Sequence, residues 1–264
     1  MLGKLIKYEW KATWKLLVPL DLFIVVMAAF AYLTIKLHFF ETDSGLVFMS
    51  GSLILAGYGI GMLAVSVVTV VYLIYRFYTS VYGDQGYLLH TLPVDKHQII
   101  IAKVTVSTIW MLICTLLIPI SFISLFSTNT PFIQNVADKV KVFLETAVGN
   151  ELTDGFTAVM MVIALIFAIV ASVLKIAACL SLGQLSANHK LLVSFAFYFA
   201  IYMVQRIWDL IYSVLTADLV EQMIKEGGSL YGRTWETTLI GDLVLSAIFY
   251  FITWYMMEKK LNLD

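Results

Sequence analysis

The stretch 158–180, AVMMVIALIFAIVASVLKIAACL, decides the fold class, because Lys175 is the only charge in an otherwise apolar run. A helix needs about 20 mostly apolar residues to cross a bilayer core of about 30 Å. Five further stretches qualify, so the predicted spans are 16–35, 54–75, 99–122, 158–180, 191–215 and 239–257. We expect helices rather than a transmembrane β-barrel, because these runs are long and do not alternate in polarity.

The composition supports an all-α integral membrane protein with a single transmembrane domain over residues 1–264. Of its 264 residues, 61% are hydrophobic and 13% are charged, against about 25% charged residues in an average soluble domain. The 17 Lys and Arg residues are balanced by 18 Asp and Glu residues. This leaves no basic excess for nucleic-acid binding. Cys114 and Cys179 fall inside spans without disulfide or metal-ligand spacing, so we expect no metal site.

The basic residues predict how the chain is oriented. Lys and Arg concentrate on the cytoplasmic side of membrane proteins. Placing the N-terminus inside puts both termini in the cytoplasm and makes the loops 127–157 and 216–238 external, in a multi-pass protein of the cell membrane. The basic residues then expected in the cytoplasm are Lys4, Lys7, Lys11, Lys15, Arg76, Lys96, Lys103, Lys190, Lys259 and Lys260.

Residues 1–15 have the pattern of a basic amphipathic helix. Their lysines share one sector of a helical projection, while Trp10 and Trp14 suit the interface between headgroups and acyl chains. The segment is interpreted either as an anchor that follows the positive-inside rule or as a lateral helix leading into the first span. The two interpretations are compatible.

The cytoplasmic loop 76–98, RFYTSVYGDQGYLLHTLPVDKHQ, is too polar to span and too long for a simple turn. Gly83 and Gly86 bracket two polar residues, which predicts a turn. A short amphipathic helix near 78–89 would present aromatic and apolar side chains to a partner or to the membrane surface. Alternatively, the loop is a structured hairpin that only joins two spans.

A few polar or small residues inside the spans are candidates for function. Arg206 and Asp209 are three residues apart on one predicted helix face, where they can pair. They line a polar cavity or a subunit interface, or they form a neutralised structural pair. Asp21 is most simply an interfacial or cap-like residue. Gly57 and Gly61 have a small-xxx-small spacing, which suits a dimer interface or close packing within one subunit.

No motif predicts catalysis by this chain. It contains no G-x-x-x-x-G-K-[ST], no H-E-x-x-H and no G-x-S-x-G. We therefore expect that the chain is not an enzyme and does not hydrolyse ATP alone.

The stretches 82–103, YGDQGYLLHTLPVDKHQIIIAK, and 256–264, MMEKKLNLD, resemble permeases of ABC-2 type exporters, especially small ones of Gram-positive bacteria. The resemblance implies that residues 1–15 form an elbow helix and that the loop 76–98 couples to a separate ATP-binding subunit. It implies a complex of two permeases, as a homodimer or heterodimer, with ATP and magnesium on the partner and no cofactor bound directly. The implied contact residues are Tyr82, Gly83, Asp84, Gln85, Gly86, Tyr87, Leu88 and Leu89.

The resemblance implies outward transport of an amphipathic or hydrophobic cargo, such as an antimicrobial peptide, a drug or a lipid-linked molecule. The alternative is an autonomous secondary transporter, coupled to an ion gradient through Asp21, Arg206 and Asp209. An intramembrane enzyme is a third hypothesis, with no motif behind it.

Overall fold

The computed structural model of the chain describes residues 2–37, 39, 44–83, 85–86, 94–126, 134, 138, 155–186, 189–225 and 234–259. Most of these residues are helical, and no β-strand occurs among them. The long helices in this part of the chain are α1 (Leu2–Lys36), α2 (Gly45–Val81), α3 (Lys96–Phe126), α4 (Gly155–Gly183), α5 (Lys190–Lys225) and α6 (Thr234–Lys259).

Each of the six predicted spans lies inside one of these helices, as expected for an all-helical membrane protein. All six helices are long and apolar enough to cross a membrane. Large apolar side chains also point away from the bundle: Leu46 is 82% exposed, Leu215 76% and Phe195 71%. Exposed apolar surface on this scale fits a protein whose solvent is lipid. The chain is therefore a multi-pass membrane protein.

The helices extend beyond the predicted spans. Residues 76–81 of the predicted loop belong to α2, and residues 216–225 of a predicted external loop belong to α5. Residues 2–15 run into the first span within α1, which contains Pro19 and shows no separate elbow helix. Polar residues at a span end do not stop a helix, because its hydrogen bonds lie within the backbone.

The predicted turn after α2 is confirmed. The backbone N–H of Gly86 donates to the carbonyl oxygen of Gly83 at 2.7 Å. Asp84, Tyr87, Leu88 and Leu89 of the predicted contact set lie outside the described residues. So does most of the loop 127–157.

The helices pack as two groups of three. In the first group, α1 packs against both α2 and α3; in the second, α4 packs against both α5 and α6. The groups meet mainly where α3 contacts α4. Hydrogen bonds join the end of α2 to the start of α1 and to the end of α4, and the start of α3 to the end of α6. We call this the proximal end of the bundle.

A buried apolar cluster beneath the proximal end holds the two groups together. It combines side chains of α2, α3, α4 and α6, all less than a tenth exposed. Burying such side chains is the main stabilising term available at this junction. The turn after α2 therefore directly follows a buried, well-packed part of the bundle. The members of the cluster are Phe77, Val81, Ile99, Ile100, Ala177, Leu180 and Met257.

Candidate functional site: an ion cluster beside the loop after α2

Three charged side chains from three helices meet at the proximal end. The Glu9 carboxylate on α1 accepts hydrogen bonds from Arg76 Nε on α2 at 3.2 Å and from Lys103 Nζ on α3 at 3.2 Å. A further contact runs from an Arg76 terminal nitrogen to Glu9 Oε2 at 3.5 Å. We call these three residues the ion cluster. It ties the whole first helix group together through one carboxylate.

The ion cluster is largely shielded from solvent. The side chain of Lys103 is 6% exposed, that of Glu9 14% and that of Arg76 23%. Lys103 Nζ also donates to Ser80 Oγ at 2.5 Å. Two cations share one carboxylate, so the cluster carries excess positive charge. Removing Glu9 would leave a buried ammonium without its counter-ion, a costly arrangement.

Arg76 also reaches the turn that follows its own helix. Its NH1 group donates to Gln85 Oε1 at 3.4 Å, and the Gln85 residue is exposed. One guanidinium therefore contacts the loop residue Gln85 and the α1 residue Glu9. A displacement of the turn would therefore move Arg76 and change its contact with Glu9 on α1. Through Glu9 it would also change the contact with Lys103 on α3.

Aromatic contacts next to the ion cluster fix α1 against α3. The rings of Trp10 and Trp110 stack with their centroids 4.7 Å apart. Trp110 Nε1 donates to Thr13 Oγ1 at 2.9 Å, and the Tyr72 hydroxyl donates to the carbonyl oxygen of Ala12 at 3.3 Å. With these contacts, α1 is held by both α2 and α3 at the level of the ion cluster.

Tyr82 has an internal role that its sequence position did not reveal. Its hydroxyl is hydrogen-bonded to Ser181 Oγ on α4 at 2.6 Å, and its ring lies against Phe77 and Tyr78. Burial raises the pKa of the Tyr82 phenol, so the group stays protonated at neutral pH. Tyr82 therefore links the loop after α2 to the second helix group.

The two glycines of the turn are required for close backbone approach. A Cβ on Gly83 would lie 2.8 Å from the carbonyl oxygen of Thr79, and one on Gly86 would collide with the carbonyl oxygen of Val81. The turn is thus folded back tightly on the end of α2, and it leaves Gln85 exposed at its tip.

The far side of the loop is anchored to the C-terminal helix. Lys96 Nζ donates to the carbonyl oxygens of Met257 at 2.9 Å and Glu258 at 3.3 Å. A cation at the C-terminal end of a helix donates to backbone carbonyls that have no partner within the helix. It also interacts favourably with the negative end of the helix dipole. Next to it, His97 Nδ1 lies 2.7 Å from the Tyr250 hydroxyl, and the His97 ring stacks on Trp254.

Arg206 and Asp209 do form the predicted pair. Arg206 NH1 lies 3.7 Å from Asp209 Oδ2, and the guanidinium also lies over the ring of Tyr202. Their side chains are 62% and 63% exposed. The pair is on the outer surface of α5 and lines no cavity between the described helices. A role at a subunit interface stays a prediction.

The remaining predicted residues lie on or against α1. Asp21 is half-buried and lines a groove between α1 and α3. A Cβ on Gly61 would lie 3.5 Å from Phe23 and 3.8 Å from Met27, and one on Gly57 would lie 3.9 Å from Met27. The small-residue face of α2 therefore packs on α1 in this chain.

A second polar cluster, among α4, α5 and α6, was not predicted. Lys175 Nζ donates to Gln205 Oε1 at 3.1 Å and lies 5.3 Å from the ring centre of Tyr198. Lys175 also attracts Asp242, whose buried Oδ2 has no hydrogen-bond partner among the described residues. The signal was available, because Lys175 and Asp242 are charged residues of two predicted spans.

Among the described residues, no three His, Cys, Asp or Glu side chains come together as a metal site. Cys114 and Cys179 are buried and free.

Comparison of the chain with protein-family models, curated proteins and solved structures gave no match. The fold and the site together define a membrane protein whose described residues form six long helices with a shared ion cluster at one end.

Proposed function

We propose that the chain is the membrane subunit of an ABC exporter of the ABC-2 type, driven by a separate ATP-binding subunit. One observation carries the proposal: Arg76 joins the exposed turn at Gln85 to Glu9 of α1, and Glu9 in turn holds Lys103 of α3. A partner that pushes on this turn would act on three helices through charge-assisted hydrogen bonds. Such bonds are among the stronger polar contacts.

In this proposal the proximal end faces the cytoplasm of a cell membrane. The sequence places most of the basic residues at this end, as the positive-inside rule requires. The first part of α1, with exposed Lys4, Lys7, Lys11 and Lys15, serves as the elbow at the membrane surface.

The working unit would contain two permeases and two ATP-binding subunits. Closure of the ATP-binding subunits, which carry ATP and magnesium, moves the turn after α2. The ion cluster passes this motion to α1 and α3, while Tyr82 passes it to α4 through Ser181. Rigid helices that rotate about packed interfaces can then expose a pathway to one side and then the other. The apolar surface of the spans suits an amphipathic or hydrophobic cargo.

The experiment uses the complex recovered from native membranes and does not require a known cargo. Spin labels at the exposed positions Leu33 on α1 and Ile123 on α3 report the distance between the distal ends of the two helices. We expect this distance to change when a non-hydrolysable ATP analogue is added. In Arg76→Gln the partner should still bind while the distance change is lost.

Lys11→Gln is the matched control, because Lys11 is basic, exposed and at the same end. It should keep the nucleotide-dependent change. Failure to recover any ATP-binding protein with the wild-type chain would contradict the proposed function. A distance change that persists in Arg76→Gln would contradict the proposed route through the ion cluster.

A second candidate is an autonomous secondary transporter driven by an ion gradient. It is favoured by the unpredicted cluster of Lys175, Gln205 and Asp242, because ionisable groups within spans commonly mark ion pathways. Asp21, Arg206 and Asp209 would contribute further charge. This candidate requires gradient-driven transport by the chain alone in proteoliposomes. That transport should be abolished by Asp242→Asn and retained in Glu258→Gln, whose side chain is exposed at the proximal end.

A further inference from the structure

A groove on the outside of the bundle, between α1 and α3, has a different chemical character from the ion cluster. Its volume is about 400 Å³. Trp10, Trp14 and Trp110 line one end, and Val25 and Leu117 line the other. The α1 residues from 10 to 25 extend over about 22 Å at 1.5 Å per residue. The groove is therefore long and narrow, with an aromatic end and an aliphatic end.

Of the described residues that line this groove, Asp21 alone is charged. Among the described residues it has neither a hydrogen-bond partner nor an ion-pair partner. A carboxylate on a membrane span is costly unless it is paired. A cation bound at Asp21 would remove this cost.

The aromatic end is held in place by contacts between α1 and α3. Trp10 and Trp110 are stacked with an angle of 19° between their planes, and Trp110 is fixed by its hydrogen bond to Thr13. Trp14 is 52% exposed beside them. Indole faces attract cations. Together with a carboxylate, they form the combination that recognises an ammonium group.

We propose that this groove binds an amphiphile with a positively charged ammonium head and an alkyl tail. The ammonium lies between Asp21 and the indoles, and the tail follows Val25 and Leu117 into the membrane. A second copy of the chain fits this face poorly, because a two-fold contact centred on the groove would bring the two Asp21 carboxylates together. The site requires no ATP-binding partner.

The test uses dodecyltrimethylammonium with a photoreactive diazirine in its alkyl chain. The full chain is placed in nanodiscs of phosphatidylglycerol, a lipid without an ammonium group, and labelled peptides are mapped by mass spectrometry. We expect labels on α1 and α3. Labelling should fall by about fivefold or more in Asp21→Asn and in Trp14→Ala, because each variant removes one of the attractive contacts. Asp21→Glu should keep it.

Asp209→Asn is the matched control, since Asp209 is an exposed span carboxylate away from the groove, and labelling should be unchanged. Three results would overturn the proposal. One is equal labelling of wild type and of both weakened variants. Another is equal labelling by a photoreactive dodecanol, which would indicate a site for neutral lipid tails. The third is a disulfide between two copies of Leu22→Cys, together with exclusion of the probe from the wild-type groove.

Discussion

Replacing Glu9 by Gln removes the one negative charge that holds Arg76 and Lys103 together. The Lys103 side chain is 6% exposed, and its ammonium lies 3.2 Å from the carboxylate. At an effective dielectric constant of about 20, an ion pair at this distance attracts by about 5 kcal/mol before desolvation is subtracted. Removing one partner of such a buried pair costs about 3–5 kcal/mol. We therefore expect Glu9→Gln to lower the free energy of unfolding by about 3 kcal/mol.

The assay is reversible unfolding in mixed micelles of increasing dodecyl sulfate content, followed by circular dichroism. Adding Lys103→Met to Glu9→Gln should recover part of the loss, about 1–2 kcal/mol, because the uncompensated ammonium is then gone. Glu258→Gln is the control, since its side chain is exposed, and its unfolding should match that of wild type. If Glu9→Gln also unfolds like wild type, or if the double variant is no more stable than Glu9→Gln, the ion cluster does not hold the helices as described.

Two further variants test the contacts around α2 with the same unfolding assay. Tyr82→Phe should lower the free energy of unfolding by about 1 kcal/mol, the value of one hydrogen bond. Adding Ser181→Ala to Tyr82→Phe should lower it little further. If the effects of the two substitutions simply add, the Tyr82–Ser181 hydrogen bond is refuted. Gly61→Leu should destabilise by about 1–3 kcal/mol through overpacking against α1. Gly59→Leu should have almost no effect, because no atom lies within 4 Å of the Cβ position of Gly59; equal effects of the two would contradict the packing of α2 on α1.

The spans could be predicted because each is a local property of the sequence. A run such as 158–180 can satisfy its backbone in lipid only as a helix, and the structure agrees. The turn at Gly83 and Gly86 was also predictable, since both glycines meet the backbone of α2 too closely for a side chain.

The ion cluster could not be predicted, because it depends on which helices pack together. Glu9 stands among lysines in the sequence, and Lys103 and Arg76 are more than sixty residues away along the chain. From the sequence, Lys103 and Arg76 were only counted among the basic residues that predict how the chain is oriented in the membrane. Likewise, Tyr82 was interpreted as part of a partner contact, whereas α4 supplies a hydrogen-bond partner within the chain.

In the proposed function, the turn after α2 contacts an ATP-binding subunit. A photoreactive amino acid in place of Gln85, introduced in the native host and activated in intact membranes, tests it most directly. Leu46, at the opposite end of α2 and 82% exposed, is the control position. We expect a crosslink from position 85 to an ATP-binding protein and none from position 46. Absence of that crosslink at position 85, with the protein present in the membrane and folded, would contradict it.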